Sequence, residues 1–248
     1  MCARSLPSWI KLTPLTPLTP ASPESEQELL GRARELTGRS LAEIAAALGV
    51  TLGGAGVHTK GKAGALIERA LGATGGSAAV PDFPHLGIEL KTIPLDLSGR
   101  PRESTFVCTL SLADADRAEW TTSWVRRKLA SVLWMPIHSA PGRSADDRRI
   151  GAPTLWRPTA PQEAVLRADF DEIMGMIGVG EVERLTAHTG RVLQARPKAA
   201  HGRVRTAAFG PDDEPVSALP RGFYLRAGFT GALLRGAAAL AESFKLKR

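Results

Sequence analysis

The sequence predicts a mixed α/β or α+β protein in which helices flank a small mixed sheet. Capped helical segments fill its N-terminal part. Farther along, apolar runs with the alternation of strands are interleaved with a long helical pattern. Such mixing is typical of these two classes. The 248 residues, 43% of them apolar, suffice for one large domain or two small lobes.

The composition indicates which class of partner the protein binds and in which compartment it works. The formal net charge of +7 and the pI near 9.9 favour a polyanion, most commonly nucleic acid. Two cysteines, Cys2 and Cys108, have neither zinc nor disulfide spacing, so a reducing compartment is expected. We find neither an apolar run long enough to span a membrane nor the apolar core of a signal peptide. A cytoplasmic protein is therefore predicted.

The N-terminal part reads as a tail followed by a helical arm. Residues 1–21 contain a Leu-Thr-Pro repeat at Thr13–Pro20, which predicts a disordered extension. A single domain is predicted over 22–248, with a helical arm at about 22–76. Its first helix is expected to start at Ser22-Pro23, and its second at a Ser40–Glu43 capping box.

The third helix and the part at about 77–248 follow in order. The third helix spans about Gly61–Leu71, carries Glu68 and stops at Gly72. The predicted strands are His85–Ile93, Ser104–Leu112, Leu129–Ile137 and a short one near Arg191–Arg196, and the predicted helices are Pro161–Gly178 and Thr230–Phe244.

One stretch, Pro81 to Lys91, carries the residue types of a metal-dependent hydrolase. Apolar residues at 86, 88 and 90 alternate with Gly87, Glu89 and Lys91, so Glu89 and Lys91 should point to the same side of a strand. Asp82 precedes the strand in a proline-flanked segment that can fold back. Two carboxylates hold a hard cation such as Mg²⁺, and a lysine beside them orients or deprotonates a water. Alone, this spacing is weak, because acid-x-Lys occurs on many solvated strands.

Several long stretches occur in one collinear order. They are Asp82-Phe83, Leu86-Gly87-Ile88-Glu89-Leu90-Lys91-Thr92-Ile93-Pro94, Gly99-Arg100-Pro101, Thr105-Phe106-Val107-Cys108, Val125-Arg126-Arg127-Lys128-Leu129, Val132-Leu133-Trp134, Arg196-Pro197-Lys198-Ala199-Ala200 and Leu219-Pro220-Arg221-Gly222-Phe223-Tyr224-Leu225. Together they resemble the MutH family of mismatch-repair endonucleases, from about Glu24 to Leu234. Collinear matches of this length are highly specific.

The resemblance implies a restriction-endonuclease-like fold, with two arms around a DNA-binding cleft. It matches catalytic positions to Glu68, Asp82, Glu89, Lys91 and Lys128. Mg²⁺ is then expected on Asp82, Glu89 and the Leu90 carbonyl, with Glu68 as a further carboxylate.

The resemblance also implies how DNA is contacted. It matches DNA-binding positions to Lys60, Gly61, Arg196, Pro197, Lys198 and Tyr224. Of these, Arg196 to Lys198 and Tyr224 correspond to positions for GATC recognition and for sensing of adenine methylation. From the residues alone, Arg196 and Lys198 could equally contact phosphates, and Tyr224 could pack in a core.

The expected function is a Mg²⁺-dependent endonuclease that nicks the unmethylated strand of hemimethylated GATC sites. The resemblance implies a monomer that MutL activates after MutS has found a mismatch. Two alternatives stay open: a GATC-specific restriction enzyme that cuts both strands, and a catalytically silent GATC-binding protein.

Overall fold

The computed structural model describes residues 21–52, 61–76, 80–138, 142, 144–199 and 201–236. The helices are α1 (Glu26–Glu35), α2 (Leu41–Ala47), α3 (Lys62–Leu71), α4 (Trp124–Leu129), α5 (Ala160–Gly178) and α6 (Ala227–Arg235). The strands are β1 (Glu89–Leu95), β2 (Thr105–Leu110), β3 (Val132–His138), β4 (Arg149–Ile150), β5 (Thr154–Trp156), β6 (Leu193–Pro197), β7 (Thr206–Phe209), β8 (Pro215–Ala218) and β9 (Arg221–Leu225). Nearly all of the predicted tail, Lys60 and the end of the predicted helix Thr230–Phe244 lie outside the described residues.

The chain divides into two compact units. One comprises Met1–Arg102 and Val132–Trp156, and the other comprises Glu103–Ser131 and Arg157–Arg248. A mixed sheet flanked by helices confirms the predicted fold class. The division into a helical arm and a catalytic part stays a prediction.

The sheet of the first unit combines parallel and antiparallel pairs. Strands β1 and β3 are parallel, with Glu89 opposite Val132 and Lys91 opposite Trp134. Strands β4 and β5 both pair antiparallel with β3. Strand β3 is buried along all of its length except His138, as expected for a central strand.

Helices α1 to α3 form one apolar core with this sheet. Leu29, Ile44 and Ile67 of the helices belong to the same buried cluster as Leu90 and Leu133 of the strands. The predicted capping box of Ser40 and Glu43 is present at α2. The predicted start of α1 at Ser22-Pro23 is wrong, because the Ser25 hydroxyl accepts the Glu28 N–H and caps the helix three residues later.

The predicted end of α3 is confirmed. Gly72 follows the helix with φ +76°. A Cβ there would lie 2.2 Å from the carbonyl oxygen of Ala21, so both the backbone conformation and the space require glycine.

Two predicted strands begin too early. The expected strand His85–Ile93 starts at Glu89 instead, because Pro84 to Gly87 form a turn. The expected strand Leu129–Ile137 starts at Val132, because the Ser123 hydroxyl accepts the Arg126 N–H and caps α4. Leu129 therefore ends a helix that the sequence reading missed.

The second unit contains a separate antiparallel sheet in the order β2-β9-β6. Helix α5 packs on it, with Phe170 stacked on Phe223 at 5.6 Å between ring centroids. The predicted helix Pro161–Gly178 is confirmed within one residue, and a Thr159–Gln162 capping box starts it. The central strand β9 and the β7–β8 hairpin were not predicted.

Each described helix is too short or too polar to cross a membrane.

Candidate active site

A tight turn brings Asp82 to the start of β1. The backbones of Phe83 and Ile88 pair across the turn, with Phe83 N–H donating to Ile88 O at 2.9 Å. Gly87 completes the turn with φ +64°. The carboxylate oxygen Oδ2 of Asp82 then accepts the N–H of Leu90 at 2.8 Å. The predicted folding back of the proline-flanked segment is confirmed.

The backbone of Asp82 is also held from its other side. Its carbonyl oxygen accepts the N–H groups of Thr74 and Gly75 at 2.9 and 3.0 Å. The segment after α3 is thus hydrogen-bonded to the site through its residues Thr74 and Gly75. Asp82 is 7% exposed, so its carboxylate sits in a defined, nearly buried position.

Glu89 and Lys91 form an ion pair on one side of β1. The Lys91 Nζ donates to Glu89 Oε1 at 2.7 Å. Side chains two residues apart on a strand share a face, which is why this pair forms. Glu89 is 1% exposed, and breaking a buried ion pair from one side is strongly destabilising. Asp82, Glu89, Leu90 and Lys91 are thus brought together at the start of β1.

Glu68 lies on α3 on the side that faces β1. A Cβ added at Gly64 would lie 3.8 Å from Glu68 Oε1 and 3.6 Å from the Thr92 hydroxyl. The Glu68 carboxylate and the β1 residue Thr92 therefore both lie close to Gly64. The described residues contain no group of three or more His, Cys, Asp or Glu side chains arranged to hold a metal. The predicted role of Glu68 as a further carboxylate of the site stays a prediction.

The donor set at the start of β1 fits a hard divalent cation. Two nearly buried carboxylates, on Asp82 and Glu89, are the oxygen ligands that Mg²⁺ prefers. The Leu90 N–H fixes the first carboxylate and the Lys91 ammonium fixes the second, which orients both before any ligand arrives. The Leu90 carbonyl as a third donor stays a prediction.

Lys128 and Gly61 are carried by two other segments, α4 and the start of α3. Lys128 belongs to the second unit, on α4, with its Nζ 5.1 Å from the ring centroid of Trp124. Gly61 is the exposed N-cap of α3 and has φ +100°, a conformation that favours glycine. Lys60 is outside the described residues.

The predicted DNA-reading residues are gathered on one sheet of the second unit. Arg196 on β6 has its guanidinium carbon 5.6 Å from the ring centroid of Tyr224 on β9. Lys198 follows β6, and its Nζ lies 4.7 Å from the ring centroid of Phe106 on β2. Phe106 and Tyr224 meet edge to face at 5.3 Å. Pro197 stands opposite Arg221 in the strand register.

Phe106 was missed as a part of this arrangement. It lies in a resembling stretch, but strand alternation alone does not tell which aromatic ring it will contact. It also packs over Gly222, where a Cβ would lie 2.8 Å from a Phe106 ring carbon and 2.9 Å from the Cys108 carbonyl oxygen. The aromatic pair therefore depends on a glycine in the central strand.

Tyr224 is half-buried and contacts the Phe106 ring, so part of its side chain remains outside the core. Burial raises the pKa of its hydroxyl, the Arg196 guanidinium lowers it, and the Glu103 carboxylate raises it. The net effect is upward, so the hydroxyl keeps its proton at neutral pH and can donate a hydrogen bond.

A mixed sheet flanked by helices, with two carboxylates and a lysine at the start of one strand, defines the restriction-endonuclease-like class of nucleases. Comparison with known proteins specifies the family. A family model described as "DNA mismatch repair enzyme MutH" matches residues 71–169, which include Asp82, Glu89, Lys91 and Lys128.

Curated relatives agree over most of the chain. The DNA mismatch repair protein MutH of Serratia proteamaculans (strain 568) is 49% identical over 210 residues, which cover 85% of this chain and 92% of that protein. The MutH proteins of Salmonella paratyphi B (strain ATCC BAA-1250 / SPB7) and Salmonella newport (strain SL254) are likewise 49% identical over 210 residues, covering 85% of this chain and 91% of each protein. This chain belongs to the MutH family, and the predicted resemblance is confirmed. The family is one of mismatch-repair endonucleases.

Proposed function

We propose that the protein uses Mg²⁺ to nick the unmethylated strand of hemimethylated GATC sites. The observation that carries the proposal is the paired arrangement at β1, in which Leu90 N–H holds Asp82 and Lys91 holds Glu89. Asp82 and Glu89 would hold the cation. When bound, Mg²⁺ supplies Lewis acidity for the phosphate and lowers the pKa of a bound water.

Lys91 has a defined part in this chemistry. Its ammonium is partly exposed beside the almost fully buried carboxylate of Glu89. It can therefore donate to an attacking water or to a phosphate oxygen without leaving its ion pair, since an ammonium has three donors. We propose that Lys91 positions the water and offsets negative charge on the phosphate.

Sequence reading is assigned to the Arg196–Tyr224 face. Arginine donates two hydrogen bonds to guanine in the major groove, and adenine N6 lies in the same groove. The Tyr224 ring lies against the Arg196 guanidinium and the Phe106 ring lies against the Lys198 ammonium, which limits the conformations of both cations. We propose that Arg196, Pro197, Lys198 and Tyr224 read GATC, and that a methyl group on adenine N6 is sensed there.

The partners follow from the family. Its members are mismatch-repair proteins, and we propose that MutL activates this chain after MutS recognises a mismatch. We further propose that the chain acts in the cytoplasm, on chromosomal DNA, as a monomer, because one site cuts one strand. Lys60, Gly61, Glu68 and Lys128 remain proposed contributors to DNA contact or catalysis.

The test is a plasmid with a single GATC site in unmethylated, hemimethylated and fully methylated forms, incubated with MutL. Nicked circles from the first two forms, dependent on Mg²⁺ and stopped by EDTA, are expected. Equal cutting of the fully methylated form would refute the proposal that the protein senses adenine methylation. Linear DNA as the first product would indicate a restriction enzyme, and binding without cutting would indicate a silent GATC-binding protein.

A matched pair of variants locates the cutting site. Glu89→Gln should abolish nicking while DNA binding, measured by fluorescence anisotropy, is retained. Glu172→Gln, the same change at an exposed position of α5, should cut like wild type. Full activity of Glu89→Gln would show that the site is elsewhere.

A further inference from the structure

The second unit contains an open cavity of about 660 Å³ beside Arg196. Its wall includes His188, Arg191, Arg196 and Arg226, together with the first residues of α6. The residues that line it include no aspartate or glutamate. By contrast, a cavity of about 460 Å³ in the same unit is lined by three aspartates and one arginine. The described side chains that line the cavity beside Arg196 are therefore basic or uncharged, and a small anion fits among them.

Buried hydrogen bonds hold the backbone of this wall in place. Asp169 on α5 is 1% exposed and accepts the N–H groups of Arg191, Val192 and Leu193 at 2.7 to 2.8 Å. This anchors the turn that leads into β6. The same turn is tied to the start of α6, because Arg226 Nη2 donates to the carbonyl oxygen of Gly190 at 2.8 Å. The cationic wall is thus built before any ligand binds.

The start of α6 adds to the positive potential. The first N–H groups of a helix have no partner within the helix, and the N-cap residue Arg226 makes no side-chain cap bond. The Nε atom of Arg226 is buried, and no described residue accepts a hydrogen bond from it. Helix N-termini carry partial positive charge, and together with arginines they suit a phosphate group.

We propose that this cavity binds a DNA backbone phosphate next to the bases that Arg196 reads. The inference rests on the proposed function, which places duplex DNA at Arg196. Arg191 supplies a charged donor, and the N–H groups of Ala227 and Gly228 supply neutral ones. The contact contributes affinity without regard to sequence and sets the register of the reading strand, as phosphate contacts do.

Two variants test the cavity with short duplexes that contain or lack GATC. Arg191→Ala should weaken binding of both duplexes about fivefold near 0.15 M salt and reduce the slope of log K against log salt by about one. Arg184→Ala is the matched control, since Arg184 is exposed and pairs with Glu181. Arg184→Ala should change neither the binding affinity nor the slope of log K against log salt. A loss confined to the GATC duplex would mean a base contact and would overturn the phosphate assignment.

The second variant separates binding from folding. A Cβ at Gly228 would meet nothing within 4 Å. Asp at this position in the first turn favours the helix, so Gly228→Asp should melt no lower than wild type, yet its carboxylate should repel the phosphate and weaken DNA binding at least fivefold. Gly175→Asp, at an equally open position of α5, is its control. Unchanged DNA affinity in a folded Gly228→Asp protein would refute the proposal.

The wild-type protein distinguishes failure of this inference from failure of the proposed function. If wild type binds GATC and other duplexes equally, sequence reading fails, but the cavity is still tested by the salt slopes. If wild type nicks GATC sites as proposed and the Arg191 and Gly228 variants bind normally, the cavity assignment alone fails.

Discussion

Replacing Lys91 with Met should destabilise the folded protein. Methionine keeps most of the side-chain volume and removes the ammonium that lies 2.7 Å from the carboxylate of Glu89, which is 1% exposed. Breaking a buried ion pair from one side costs roughly 3–5 kcal/mol.

At pH 7 the melting temperature should fall by roughly 6–20 °C for a chain of this size.

The assay is urea unfolding at pH 7, followed by circular dichroism, in EDTA so that no cation replaces the lysine. Glu89→Gln provides the second arm of a double-mutant cycle, because in that background Lys91→Met should cost little. An unchanged cost of Lys91→Met in the Glu89→Gln background would refute the argument that charge compensation holds this pair.

Three further outcomes are expected. The Arg126 hydrogen bond lowers the pKa of Glu163, so its stabilisation is present at pH 7 and is lost as pH falls through the lowered pKa. Because both side chains are partly exposed, Glu163→Gln should cost under about 1 kcal/mol at pH 7, and urea unfolding should show no difference near pH 2. Arg196→Lys should relax discrimination between GATC and single-base variants by about 1–3 kcal/mol, measured as ratios of kcat/KM; an unchanged ratio would assign Arg196 to the phosphate backbone. Gly222→Ala, whose Cβ meets Phe106 and the Cys108 carbonyl oxygen, should lower stability by about 1–3 kcal/mol, whereas Gly175→Ala in open space on α5 should raise it by up to about 1 kcal/mol in thermal melts.

Local signals predicted α2, α3 and α5. The capping box at Ser40 and the glycine after α3 depend on neighbours within a few residues, so they can be found in the sequence. The pairing of Glu89 with Lys91 is equally local, because strand alternation places both side chains on one face.

Errors arose where a short segment could adopt either structure. The helix at residues 124–129 is short and lies directly before an apolar strand, so it went unpredicted and its last residue, Leu129, was assigned to the strand. The Ser123 cap was the signal that could have separated them. The turn residues His85 to Gly87 were assigned to the strand because Leu86 continues the apolar alternation of Ile88 and Leu90.

By itself, the sequence determined the chemistry of this protein: two carboxylates and a lysine at strand spacing, a basic overall charge and a family resemblance. Tertiary structure decided which of the candidate residues meet. It brought Asp82 to Leu90 N–H and placed Tyr224 between Arg196 and Phe106. The physical reason is that strand register and packing between distant segments depend on the whole buried core, whereas caps and alternation depend only on neighbours along the chain.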